Sequence, residues 1–150
     1  ERKTVLNGLT KLSLDAKGRL AIPSRYRDRL MDECSGRLVV TVDHERRLVI
    51  YPLQDWKAAE AKLEQLSSFN KAAVKIKRLS LGHANECDMD KNGRINLPAY
   101  LREITGLDKQ IVLLGVGNKF EVWDEEAWNR EWETADDDLD VSEELESLSL

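Results

Sequence analysis

Leu14-Asp15-Ala16-Lys17-Gly18-Arg19-Leu20-Ala21-Ile22-Pro23 and Met89-Asp90-Lys91-Asn92-Gly93-Arg94-Ile95-Asn96-Leu97-Pro98 are one phrase written twice, 75 residues apart. The repetition continues on the C-terminal side of both. Arg27 matches Arg102 at the same offset, and Leu38-Val39-Val40 matches Ile111-Val112-Leu113 at 73. Arg47-Leu48-Val49-Ile50-Tyr51 matches Lys119-Phe120-Glu121-Val122-Trp123 at 72, as Trp56 matches Trp128. The blocks keep their order while the offset drifts by three, which is what small loop deletions do to a duplicated unit.

Each copy reads the same way. Leu12-Ser13-Leu14 and Cys87-Asp88-Met89 alternate apolar and polar residues, as a half-buried strand does. Asp-x-x-Gly-Arg follows as a tight hairpin turn, with Asp15 and Asp90 able to bond turn amides and Gly18 and Gly93 able to take positive φ. Leu20-Ala21-Ile22 and Ile95-Asn96-Leu97 resume the alternation on a return strand. Pro23 and Pro98 end it and open short helices through Tyr26–Leu30 and Tyr100–Ile104. Further strands are predicted at Leu38–Val42, Leu48–Tyr51, Ile111–Leu114 and Phe120–Trp123, joined by turns containing Asp43-His44-Glu45-Arg46 in one copy and Gly115-Val116-Gly117-Asn118 in the other. Between the copies, Trp56, Ala59, Leu63 and Leu66 share a helical face behind Asp55 as N-cap. Asn70 caps a second helix through Ala73, Val74, Lys77 and Leu81 that stops at Gly82. Asp124 caps a third over Glu125–Trp132.

The predicted organisation is a first repeat over 6–54, a helical connector over 55–82, a second repeat over 83–128 and an acidic C-terminal tail over 129–150. A half of about 45 residues is too small to bury a satisfactory core alone. The two halves should therefore pair strands into one pseudo-two-fold barrel. The fold class is α+β, mainly β, with flanking short helices.

The chain carries 23 Lys plus Arg against 28 Asp plus Glu, a formal charge of −5. Nine of those acids lie in residues 131–150, which hold no Lys or Arg, so the first 130 residues set 23 bases against 19 acids. The acidic end reads as a solvated tail, partly disordered or ending in a short helix. Residues 11–30 hold Lys11, Lys17, Arg19, Arg25, Arg27 and Arg29 against Asp15 and Asp28. That local excess attracts phosphate, although a solvated charged face would look the same. No apolar run approaches the length of a membrane span, and the expectation is a soluble cytoplasmic protein.

Several chemistries can be weighed against the residues. Asp88-Met89-Asp90-Lys91-Asn92-Gly93 copies the first half of a calcium loop, but its twelfth position is Ala99, where a bidentate Glu is needed. His83, Glu86 and Cys87 fall short of a closed zinc site, and Cys34 and Cys87 read as ordinary thiols or a single cross-link. Nucleophile elbows, phosphate loops, dinucleotide motifs and paired carboxylates in apolar settings are all missing. The sequence points to no catalytic residues, no metal, no cofactor and no enzyme.

The turns remain to be explained. Geometry alone accounts for Asp15, Gly18, Asp90 and Gly93. It does not account for Arg19 and Arg94 at the same place in both, with Lys17 and Lys91 alongside. Arginine presents a planar fork suited to guanine edges and phosphates. Two such tips on one face of a pseudo-symmetric barrel would suit a groove of duplex DNA. The rival is an assembly scaffold or antitoxin-like protein–protein module without base readout.

On these residues the chain resembles the MraZ family, which carries two AbrB-like units, each marked by Asp-x-x-x-Arg. The resemblance also rests on Ile22-Pro23-Ser24-Arg25-Tyr26-Arg27, Leu81-Gly82-His83-Ala84 and Asn118-Lys119-Phe120-Glu121-Val122-Trp123, and runs from about Leu6 to Trp128. It implies a double-psi, swapped-hairpin barrel. It also implies a bacterial, nucleoid-associated transcriptional repressor that binds short direct repeats before a division and cell-wall gene cluster. Family members form homo-oligomeric rings. By position, Arg19 and Arg94 would contact double-stranded DNA with Lys17 and Lys91 in support, while Asp15, Gly18, Asp90 and Gly93 shape the turns.

Overall fold

The computed structural model describes residues 5–138 and 143–148. The order is β1 (Leu6–Ser13), β2 (Arg19–Ala21), α1 (Ser24–Cys34), β3 (Leu38–Val42), β4 (Leu48–Pro52), α2 (Leu53–Glu64) and α3 (Lys71–Ser80). Then come β5 (Asn85–Glu86), β6 (Arg94–Asn96), α4 (Ala99–Ile104), β7 (Gln110–Gly117), β8 (Phe120–Asp124), α5 (Glu125–Asp138) and α6 (Glu143–Glu146). The fold is α+β with a large antiparallel sheet. No helix among the described residues is long and apolar enough to cross a membrane.

Six strands form one sheet in the order β1-β7-β8-β4-β3-β5, and β2 pairs β6 in a separate two-stranded ribbon. Exchanging the first four strands for the last four turns the six-strand order into its own reverse and maps the ribbon onto itself. The symmetry is therefore built on strand exchange. β1 pairs with β7 of the other half from Leu6↔Gly117 to Ser13↔Gln110, and β5 pairs with β3 at Val39↔Glu86. β4 meets β8 near the pseudo-dyad at Leu48↔Val122 and Ile50↔Phe120.

This differs in one respect from a local hairpin reading. The Asp15 turn reverses the chain, closed by Asp15 N–H donating to the Arg19 carbonyl at 3.1 Å, yet β1 and β2 then diverge to separate partners in the second repeat. A turn motif fixes the reversal. Which strand lies beside which is decided by where apolar faces are buried, and here both faces close only against the other half.

The core shows the same sharing. Leu20, Ile22, Leu38, Val40, Leu48 and Ile50 are buried, and so are their repeat equivalents Ile95, Leu97, Ile111, Leu113, Phe120 and Val122, all in one cluster. Tyr26 meets Phe120 edge to face at 5.0 Å, joining helix α1 of one half to strand β8 of the other. Away from this cluster, Tyr51 packs on Trp56 at 5.6 Å and Trp123 on Trp128 at 5.1 Å, a matched pair of strand-to-helix aromatic contacts.

The helix ends follow their sequence cues unevenly. Asn70 Oδ1 accepts from Ala73 N–H at 3.1 Å, and Asp124 Oδ2 from Ala127 N–H at 3.2 Å. Helix α2 starts earlier than expected, capped by Pro52, so Asp55 lies buried inside the first turn. Proline's fixed φ suits that position and needs no partner for a missing N–H. Helix α3 ends at Ser80, just before Gly82, and α5 runs past Trp132 to Asp138.

Candidate nucleic-acid interface

Both Asp-x-x-Gly-Arg turns are built to one plan. In the first, Asp15 Oδ1 accepts from Lys17 N–H at 2.9 Å and Arg19 N–H at 2.8 Å, and Gly18 N–H donates to the Asp15 carbonyl at 2.9 Å. In the second, Asp90 Oδ1 accepts from Asn92 N–H at 2.8 Å and Arg94 N–H at 2.9 Å, with Gly93 N–H on the Asp90 carbonyl at 2.9 Å. Gly18 and Gly93 sit at φ +77° and +75°. This is the three-residue connection in which a left-handed residue closes the turn.

The arginines lie on one surface. Leu20 and Ile95 oppose each other in the β2–β6 ribbon and are 0% and 1% exposed, so they define its inner face. Their neighbours Arg19 and Arg94 must point outward together, because side chains alternate along a strand. They stand diagonally across the ribbon, with backbones about 7–8 Å apart. Lys17 and Lys91 are exposed at the two turn tips. Because β2 and β6 run antiparallel, the two tips lie at opposite ends of the ribbon, each beside its own arginine.

The two arginines are held differently. Arg19 Nε donates to Asp15 Oδ2 at 2.7 Å, leaving its terminal NH2 groups clear of that bond. Arg94 Nε stands 3.9 Å from Asp90 Oδ2, buried and without a hydrogen-bond partner. Asp15 and Asp90 both titrate below the ordinary carboxylate value of 3.8, chiefly because the Arg19 and Arg94 backbone amides donate to them. The Arg19 charge also acts on Asp90, so the turns feel each other across the ribbon.

A pH dependence follows with a definite sign. A carboxyl whose folded pKa is depressed stabilises the folded state above its unfolded value and loses that contribution as pH falls through the folded pKa. The stability difference between wild type and Asp15→Asn should be constant from pH 8 to 5. It should close as pH falls below 3.8, the ordinary carboxylate value, as thermal melts across that range would read.

The turn expected at Asp43-His44-Glu45-Arg46 follows the same plan, which the repeat did not announce. Asp43 Oδ1 accepts from Glu45 N–H and Arg47 N–H, both at 2.9 Å, and Arg46 N–H donates to the Asp43 carbonyl at 2.9 Å. Asp43-His44-Glu45-Arg46-Arg47 is also Asp-x-x-x-Arg, with Arg46 at φ +63° where the others have glycine. Its arginine has another use: the Arg47 guanidinium lies 3.4 Å from the centre of the Trp123 ring. The aspartate is therefore the turn-building element, and the arginine is free to differ in role. Arg46→Gly should stabilise the protein by about 0.5–1 kcal/mol, relieving a left-handed side-chain conformation. Differential scanning calorimetry would show the melting temperature rising by about 1–4 °C.

Other chemistries find little support. Asp88 and Asp90 flank the second turn, and Asp90 is committed to its amides. His83 Nδ1 lies 2.7 Å from the Leu79 carbonyl, and its ring stacks on Tyr100 at 6.0 Å. Cys34 and Cys87 are both free thiols, and burial pushes the Cys87 thiol up to about 11, far from a nucleophile's range. Among the described residues no group of three His, Cys, Asp or Glu is placed to hold a metal.

Comparison with known proteins agrees with the duplicated turn. The family model described as "MraZ protein, putative antitoxin-like" matches the chain twice, over residues 5–79 and 80–147. A protein of Thioalkalivibrio sulfidiphilus named transcriptional regulator MraZ is 47% identical over 150 residues, covering 97% of this chain and all of the relative. Proteins of the same name from Halorhodospira halophila and Idiomarina loihiensis are 49% and 50% identical, again over 97% of this chain and their whole lengths.

Proposed function

The chain belongs to the MraZ family, and with that as premise we propose that it is a transcriptional regulator acting through its paired turns. It binds duplex DNA at short direct repeats upstream of a bacterial division and cell-wall gene cluster, represses from there, and works in the cytoplasm as a nucleoid-associated, ring-shaped homo-oligomer. Repeats 6–54 and 83–128 carry the contacts, with 55–82 as connector and 129–150 as an acidic tail. The observation that carries this reading is the shared outward face of Arg19 and Arg94, flanked by exposed Lys17 and Lys91.

The roles follow from chemistry. Arg19 and Arg94 read base edges in the major groove, where a two-stranded ribbon fits and a guanidinium pairs with guanine O6 and N7. Lys17 and Lys91 neutralise phosphates. Asp15 and Asp90 hold the backbone of each tip, and Asp15 also grips Arg19 Nε so that the far edge of the fork faces out. The overall charge of −5 is no obstacle, because charges beyond a Debye length of about 8–10 Å are screened. A single subunit makes few contacts. Several linked subunits on spaced repeats gain through effective concentration, by about 100-fold or more.

Salt dependence separates this reading from a protein–protein module. Two lysine–phosphate contacts per engaged subunit predict a slope of log K against log salt of about −1.8 per subunit, and Lys17→Gln or Lys91→Gln should each flatten it by about 0.9. Fluorescence anisotropy with labelled promoter DNA measures this. A flat salt response in the wild type would turn the reading toward a scaffold.

A further inference from the structure

We propose that Arg27 and Arg102 are positioning residues acting across the pseudo-dyad: Arg27 sets the Gly93 turn and Arg102 sets the Gly18 turn. The inference rests on the reading of those turns as DNA contacts, and gives each turn a support supplied by the opposite repeat.

Three observations carry it. Arg27 Nε donates to the Ile22 carbonyl at 2.6 Å, and Arg102 Nε to the Leu97 carbonyl at 3.1 Å. Each arginine thus reaches back over its own proline to the end of its own ribbon strand. From there the guanidinium lies against the other repeat's turn. A Cβ on Gly93 would stand 2.3 Å from Arg27 Nε, and a Cβ on Gly18 would stand 2.4 Å from the Arg102 guanidinium carbon. A side chain at either place would displace the arginine from its seat. On the Arg27 side the link is doubled, since Ile22 N–H donates to the Gly93 carbonyl at 2.8 Å.

The Asp43 turn supplies the control. It adopts the same hydrogen-bond plan with Arg46 at φ +63°, so the plan by itself does not require glycine. At positions 18 and 93 the approach of an arginine from across the dyad adds to the positive φ that already favours glycine there. Both glycines are buried although the tips beside them are exposed. A recognition site needs its tips held to a fraction of an ångström, and a planar cation keyed under the turn backbone does that.

The arrangement makes a crossed prediction that general loosening of the fold would not produce. In DNA-free, full-length protein, Arg27→Ala should speed amide exchange about tenfold in the segment Asn92–Arg94 and leave Lys17–Arg19 at the wild-type rate. Arg102→Ala should do the reverse. Arg27→Lys and Arg102→Lys keep the charge but not the planar group. They should behave as the alanine variants do, and they carry the test should an alanine variant fail to fold. On promoter DNA, Arg27→Ala should add less than about threefold to the loss caused by Arg94→Ala, while multiplying the loss caused by Arg19→Ala. Hydrogen-exchange mass spectrometry decides the inference: loosening of a variant's own turn, of both turns equally, or of neither overturns it. Arg19→Ala and Arg94→Ala binding to DNA at wild-type strength would instead remove the DNA reading while the crossed exchange pattern stood.

Discussion

Arg19→Ala and Arg94→Ala should each weaken promoter binding by about 1–3 kcal/mol per engaged repeat, roughly 5- to 150-fold, with little change in melting temperature. The expectation separates the two things an arginine does in these turns. The backbone plan depends on the Asp15 and Asp90 carboxylates and on main-chain amides, which alanine retains. What alanine removes is the fork. Arg19→Lys should not rescue binding, because a point charge cannot make two parallel bonds to one guanine. In an assembly on several DNA repeats the single-site losses compound, so a modest defect per subunit becomes loss of the shifted band. Mobility shift and anisotropy, paired with calorimetry to confirm folding, check both halves of the statement. Wild-type affinity in both variants would leave the shared arginine face without a purpose.

How far the sequence reveals this depends on the range of the interaction concerned. Local features were readable. The repeat, the chain reversal at Asp15 and Asp90, and the caps at Asn70 and Asp124 each depend on residues within a few positions of one another. Partner choice was not. Leu12-Ser13-Leu14 and Leu20-Ala21-Ile22 look like the arms of a hairpin because alternation reports burial of one face, and says nothing of the neighbour in the ladder. The exchange of β1 to β7 and β2 to β6 becomes visible only when both repeats are laid in one sheet.

The site divides along the same line. The Asp–amide bonds could be anticipated from spacing, and so could the outward arginines once Leu20 and Ile95 were taken as core. The seat of Arg27 against Gly93 is a contact between different repeats, and the only hint was that Arg27 and Arg102 occupy matching positions. Asp43-His44-Glu45-Arg46 was legible as a turn between strands, but its lack of glycine hid its likeness to the Asp15 plan, because glycine is the usual mark of a left-handed residue. In that turn the left-handed residue, Arg46, is an exposed side chain.

Leu20→Ala and Ile95→Ala should each cost about 2–5 kcal/mol of stability, and each should destabilise both halves alike. The two side chains oppose each other across the ribbon at the pseudo-dyad, 0% and 1% exposed, in a cluster drawn from both repeats. Removing either leaves a cavity that belongs to neither half. Against a typical total of about 5–15 kcal/mol, one such loss is a large share, and the pair together should fall short of additivity because they border one space. The tryptophans make the sharing measurable. Trp56 reports from the end of the first repeat, packed on Tyr51, and Trp123 from the second, packed on Trp128. In urea titrations of variants that retain either Trp56 or Trp123 with its partner, Ile95→Ala should move both transitions by the same amount, as a single cooperative unit requires. A Trp56 transition left at its wild-type midpoint while the Trp123 transition shifts would mean two separable cores. In that case the strand exchange between the repeats would not be what holds the paired turns together.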